Sequence, residues 1–219
     1  MSVGRHPVAD ATRSLSTAVN VGSAVEHEAA ENSPFFVELL SGRVNRRGYA
    51  DYLLRLRGVY EALEATMRAH RRDPLVAAVF DPALERLSAL DKDLDYWTDG
   101  GRGVLNSPAL QRYQDRLQQL RWGGAIVAHH YTRYLGDLSG GQAMATLLDR
   151  EYGLDGSGLA FYDFGLRVKP YKDAYRAALD RLDLDSVDID RVVEEVKLAY
   201  HLNQALLDEL STDLASYRR

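Results

Sequence analysis

Three glycines inside one helix-favouring stretch constrain this chain more than any other feature. Residues 131–142 read YTRYLGDLSGGQ and hold Gly136, Gly140 and Gly141. Each interior glycine costs about 1 kcal/mol relative to alanine, so together they forgo roughly 3 kcal/mol of local helix stability. The flanks at 122–128 and 143–152 carry good helix formers, apolar residues at helical spacing and no proline. A helix therefore runs through the glycines, kinked at them. At about 100° per residue, Gly136 and Gly140 share a face, Asp137 lies a quarter turn away, and Arg133 sits one turn before it. Two uses fit such a surface. It can let another helix pack closely, or it can present bare backbone, edged by a carboxylate, to something flat.

Other positions carry chemistry and leave alternatives open. His27 and Glu31 in VEHEAAENSPFF stand one helical turn apart. The carboxylate can hold one imidazole nitrogen while the other meets a ligand or metal, or the two can form an ordinary surface pair. The stripe Val192, Val193, Val196, Ala199, Tyr200, Asn203, Leu207, Leu210 is apolar at helical spacing except at Asn203. A buried amide needs partners, so Asn203 is either a satisfied core group or part of an internal network. Tyr60 interrupts the stripe Leu53, Leu56, Leu63, Met67 in the same way. Lys172 and Arg176 make a cationic pair one turn apart, suited to carboxylates or merely to solvent. His129 and His130 are adjacent, so on a helix they point about 100° apart, which favours a surface or boundary role over joint metal ligation.

The rest of the chain reads as helices and connectors. Main helices are expected at 14–31, 46–71, 82–97, 107–120, 122–152, 170–182 and 186–210, with short helical pieces at 34–40, 74–79 and 158–163. Residues 98–106 (TDGGRGVLN) and 153–157 are turn-rich. With 219 residues, 46% of them hydrophobic, the expectation is one all-α domain over 1–219, its first twelve or so residues flexible. No run approaches the length of a membrane span. The start lacks the apolar core of a signal peptide, which points to the cytoplasm. Zero cysteines exclude disulfides and thiolate ligands, and a net charge of −5 argues against general nucleic-acid binding.

Two segments together resemble a known family. HHYTRYLGDLSGGQ at 129–142 is similar to the distal helix of the heme oxygenases, and HEAAENSPFFVELLSGR at 27–43 to their proximal helix and following turn. VYEALE (59–64), LAFYDF (159–164), YKDAYR (171–176) and KLAYHLNQALLDEL (197–210) continue the likeness in order along the chain. The resemblance implies a single-domain multi-helix fold with heme b between the proximal helix and the kinked distal one. It implies that His27 is the proximal ligand of the heme iron with Glu31 as its associated carboxylate, and that Gly136 and Gly140 lie over the heme. Asp137 then matches the distal aspartate of a water network that includes Tyr60, Arg133 and Asn203, while Tyr131, Lys172 and Arg176 match contacts to the heme propionates. The implied reaction is oxidative cleavage of heme by O2 to biliverdin, expected as the α isomer, with release of carbon monoxide and ferrous iron. Electrons are expected from a separate reductase or ferredoxin, because the chain has no nucleotide fingerprint and no cysteine for an iron–sulfur cluster.

One position departs from the family pattern. Asn20 stands where the family commonly places a basic residue, which puts one propionate contact in doubt. A ferritin-like di-iron site would need a Glu-x-x-His pair, and none of the six histidines has that spacing. A heme carrier or sensor without catalysis remains as the alternative, since binding needs His27 but not Asp137.

Overall fold

Fourteen residues from its start, the chain enters a short helix that stops where valines and glycine make helix expensive. The computed structural model describes residues 14–101, 103 and 105–219, so the expected flexibility of the first twelve residues lies outside the described residues. The helix expected over 14–31 divides into α1 (Leu15–Gly22) and α2 (Ala24–Glu31). The break falls at Ser23, which is buried and turns its hydroxyl back to the Val19 carbonyl at 2.7 Å. A side chain at Gly22 would press to 2.6 Å from Val193, so glycine there lets α1 lie close to the last helix. α2 buries none of its residues.

α3 (Pro34–Leu40) begins with Ser33 accepting from the Phe36 amide and proline in its first turn, an ordinary N-terminal arrangement. The long α4 (Arg46–Ala69) carries Tyr49, Leu53, Leu56, Tyr60, Leu63 and Met67 into the core. α5 (Pro74–Ala77) follows, capped by Asp73. The expected helix at 82–97 resolves into a 3-10 turn, Pro82–Leu84, and α6 (Leu87–Trp97). α6 has no side-chain cap of its own, and buried Glu64 of α4 instead accepts from the amides of Arg86 at 2.6 Å and Leu87 at 3.1 Å. α7 (Pro108–Gln119) completes the layer packed on α4.

α8 (Gly123–His130) is buried at every position. It runs into a five-residue π-helical segment, Tyr131–Leu135, and then α9 (Gly136–Tyr152), which Gly153 closes in the left-handed conformation at φ 62°. The irregularity thus precedes Gly136 rather than falling among the glycines, because the widened turn takes up one residue before the bare strip begins. A 3-10 turn, Ala160–Tyr162, is pinned by Asp93 of α6, which accepts from the Ala160 and Phe161 amides at 2.8 and 2.7 Å. α10 (Val168–Asp180) docks on α1, where the Ser16 amide and hydroxyl both donate to Asp180. α11 (Ser186–Thr212) is the central post, packed against α1, α2, α3, α7 and α8. Among the described residues there is no strand, only an isolated bridge between Val44 and Arg218, and no helix is long and apolar enough to cross a membrane.

Candidate functional site

A cavity of about 420 Å³ opens between α2, α3, α4, α9, α11 and the turn at 160–162, within the range of small-molecule sites. Its walls include Phe36, Leu40, Leu56, Met144, Phe161 and Leu206, so the lining is mainly apolar with polar groups at a few points. The glycines of the distal stretch form part of that wall. A Cβ added to Gly136 or Gly140 meets no atom within 4 Å, whereas one on Gly141 would lie 3.3 Å from the Tyr162 ring. Close packing therefore explains Gly141 alone. Gly136 and Gly140 hold a strip of backbone bare toward open space.

Beside that strip the expected polar residues meet around one guanidinium. Arg133, whose aim is set by the widened turn at 131–135, donates from Nη1 to Asn203 Oδ1 at 2.9 Å, from Nη2 to Asp137 Oδ1 at 3.3 Å, and from Nε to the Tyr60 hydroxyl at 3.3 Å. Tyr60 in turn donates a short hydrogen bond to Asp137 Oδ2. Four residues, from α4, the π-helical segment, α9 and α11, thus form one network. Asn203 interrupts the apolar stripe of α11 because its amide oxygen is needed by Arg133, and Tyr60 interrupts α4 because it faces Asp137. Burial pushes the Asp137 carboxyl well above its ordinary value. The side chain is only 13% exposed, and although Tyr60 and Arg133 favour the charged form, desolvation is the stronger influence.

His27 and Glu31 line the same cavity from α2. Their closest atoms, Nε2 and Oε1, are 3.7 Å apart and both side chains are at least half exposed. That is longer than a hydrogen bond, so the carboxylate acts on the imidazole through charge alone. Tyr200 of α11 meets the His27 ring edge-on, with centroids 5.7 Å apart. The donor set fits a heme: an imidazole reaching in from an otherwise unburied helix, and a flat backbone strip that any side chain would fill.

Tyr131, Lys172 and Arg176 do not line the cavity. Tyr131 is half-buried, where burial raises its hydroxyl and the charge of Arg176 lowers it. Lys172 is pushed down by partial burial and by Arg176, and Arg176 stands 3.6 Å from Asp173. Arg176 therefore stands near both Tyr131 and Lys172, the latter as the one-turn spacing on α10 predicts. Tyr52, Arg55 and Tyr162 line the cavity and escaped the sequence reading. Tyr52 follows the Leu56 and Tyr60 row at i, i+4 and i+8 on α4, a spacing that marks it, whereas Arg55 lies about 140° from Tyr60 around the helix and carries no such signal. Tyr162 lies within the quoted LAFYDF segment, and burial raises its hydroxyl well above the ordinary value.

The surface or boundary role expected for His129 and His130 is corrected by the structure. Both are buried, at 0% and 2% exposure. A helix whose preceding residues read GGAIVA has no polar face to turn outward, so the histidines satisfy themselves inside. His129 Nε2 meets Glu195 Oε1 at 2.9 Å, with Arg116 also on Glu195. His130 stacks on Tyr175 and meets its hydroxyl at 2.7 Å. Burial lowers both imidazoles, His130 to about 3, so both are neutral near pH 7, and Arg116 supplies the charge that balances Glu195. The folded values lie below the unfolded ones, so unfolding takes up protons as the pH falls from about 6.5. Stability is full above that value and should decline below it, by up to about 1.4 kcal/mol per pH unit for His130 alone. Denaturant titrations between pH 7.5 and 5 measure this slope. In His130→Phe the slope should flatten by that amount, and an unchanged slope would show that His130 titrates alike in both states.

Comparison with known proteins agrees with this geometry. A model of the heme oxygenase family matches residues 13–209. Heme oxygenase 2 of Synechocystis sp. is 34% identical over 206 residues, spanning 90% of this chain and 82% of that protein. The crystal structure of heme oxygenase-1 from Synechocystis sp. in complex with heme aligns with a TM-score of 0.88 at 33% identity, covering 93% of this chain and 95% of that one. The heme oxygenase structure from Leptospira interrogans aligns with a TM-score of 0.86 at 31% identity, covering 90% of this chain and all of that one. With the family match running from the first described helix almost to the end of α11, and the same helical fold in the solved relatives, this chain belongs to the heme oxygenase family of enzymes.

Proposed function

We propose that this chain cuts the heme ring to biliverdin, releasing carbon monoxide and ferrous iron, with the site residues acting as follows. Heme is the substrate, and its iron supplies the chemistry that activates O2. His27 ligates that iron, with Glu31 and the Tyr200 ring restricting the imidazole. The bare backbone at Gly136 and Gly140 leaves room for the ring on its other side. Asp137, its carboxyl raised by burial, is the group that gives a proton through water on that side, where Tyr60 and Arg133 fix it and Asn203 holds Arg133 in turn. Tyr131, Lys172 and Arg176 take the propionates. Electrons come from an external reductase or ferredoxin.

The observation that carries this reading is the Arg133 network placed beside glycines whose faces are open. A carrier needs a ligand and an apolar wall; it has no use for a buried carboxyl held on both oxygens by Tyr60 and Arg133. The test is aerobic turnover of the hemin-loaded protein with ascorbate or another reductant, followed by product chromatography. Loss of the Soret band with rising bilin absorption is expected. An unchanged spectrum would favour the carrier.

Asn20 gives a second expected outcome. It is exposed on α1, one turn beyond Ser16, whose contact with Asp180 docks α1 on the helix that carries Lys172 and Arg176. Those two cations and the Tyr131 hydroxyl should still select a single pose, giving one bilin isomer from the α-meso carbon. An added cation at an exposed site contributes about 1 kcal/mol or less, so Asn20→Lys should tighten heme binding by at most roughly fivefold. Mixed β or δ isomers from the natural chain would show that the remaining contacts do not fix the pose. Equal affinities would place residue 20 away from the propionates.

A further inference from the structure

Tyr52 and Tyr162 on the cavity wall lead to a file of oxidisable rings that ends at the surface. Tyr49, fully buried, donates its hydroxyl to that of Tyr162 at 3.3 Å, and its ring centroid lies 6.2 Å from that of Tyr52. On its far side Tyr49 meets Trp97 at 4.5 Å. Trp97, 3% exposed, then touches Tyr96 at 5.6 Å and Tyr152 at 5.7 Å. Tyr96 is 37% exposed. Packing alone does not account for this choice of residues. Burying two phenol hydroxyls to satisfy each other over 3.3 Å is a poor exchange when phenylalanine fills the same space without a polar group to desolvate.

We propose that this file, Tyr52/Tyr162 to Tyr49 to Trp97 to Tyr96 and Tyr152, carries oxidising equivalents away from the cavity when hydrogen peroxide reacts at bound heme without reductant. The proposal rests on the reading that the cavity binds heme. Peroxide takes two electrons and two protons as its O–O bond breaks, giving two waters. Tyr96 and Tyr152 supply one electron each and lose one hydroxyl proton each, Tyr96 directly to solvent and Tyr152 once its hydrogen bond to the Val44 carbonyl opens to water, becoming neutral phenoxyl radicals, while the inner rings only relay electrons. The Arg46 guanidinium, 5.2 Å from the ring centroids of both Tyr96 and Trp97, disfavours a lasting radical cation on either, so the oxidation settles as a phenoxyl after proton loss. With the oxidation lodged on the outer tyrosines, the pocket wall and the heme are spared.

The hemin-loaded full chain, first shown to bind heme and turn it over with ascorbate, is treated with hydrogen peroxide and a nitroso spin trap, and adducts are mapped by mass spectrometry. Adducts at Tyr96 and Tyr152 are expected, and only with heme present. Tyr49→Phe and Trp97→Phe should lower these outer adducts several-fold, move oxidation to Tyr52 and Tyr162, and hasten bleaching of heme by peroxide, with ascorbate-driven turnover unchanged. Tyr96→Phe, which keeps the ring on Trp97 and removes only the hydroxyl of a 37% exposed residue, should shift the trapped spin to Tyr152. Equal outer adducts in Tyr49→Phe and Trp97→Phe, outer adducts without heme, or adducts confined to the cavity wall in a protein with normal turnover would overturn this path alone. Failure to bind heme at all would overturn the proposed function as well.

Discussion

Exchanging Asp137 for alanine is expected to leave heme binding intact and to remove most bilin formation. The carboxyl lies beside the glycine strip, with Tyr60 and Arg133 on its two oxygens, and burial raises it well above its ordinary value. A positioned general acid contributes on the order of a hundredfold to ten-thousandfold, and the oxidising power it no longer directs should appear as peroxidase-like oxidation of an added phenol. Asp137→Asn separates proton supply from shape. The amide can still meet Arg133 and Tyr60 yet has no acidic proton, so it too should fail. Single-turnover absorption with product chromatography measures both variants, and a normal biliverdin yield from either would remove Asp137 from the reaction.

His27→Ala should be as severe, by a different route. The apolar wall supplied by Phe36, Leu40, Leu56 and Met144 does not depend on the imidazole, so heme should still enter, whereas ligation and turnover should be lost. Because α2 is exposed around residue 27, free imidazole can reach the vacated position and should restore the ligand spectrum and part of the activity. Full activity without imidazole would mean that another side chain ligates the iron. Glu31→Gln should be mild by comparison, since the carboxylate stands 3.7 Å from the ring and makes no hydrogen bond that its loss would break.

Much of the site could be read from residue types that sit badly where they are. Glycines in a helix, an asparagine in an apolar stripe and a tyrosine at a leucine position each carry a local cost, and each proves to face the cavity or the Arg133 network. The helical fold was legible for the same reason that periodicity is: α4 and α11 present one continuous buried face each. What escaped depends on neighbours distant in sequence. At Gly22 the need for glycine comes from Val193 on the last helix, which a side chain there would meet at 2.6 Å. The burial of His129 and His130 follows from Glu195 and Tyr175 waiting on other helices. The widened turn at 131–135 is one residue of excess that no propensity marks.

α2 bears on more than ligation. A helix with no fully buried residue, joined to α1 through a single bent residue and resting on α11 through contacts such as that of His27 with Tyr200, is held less firmly than the buried helices around it. Its amides should exchange with deuterium readily in the empty protein and slow sharply once a macrocycle fills the space behind it, since a ligand that binds only the folded form adds its binding energy to that form. When the ring is opened, the product is no longer flat and that support is withdrawn. Exchange in α2 should therefore be faster with the opened product bound than with the intact ring, and equal protection in the two complexes would show that the helix does not respond to the shape behind it.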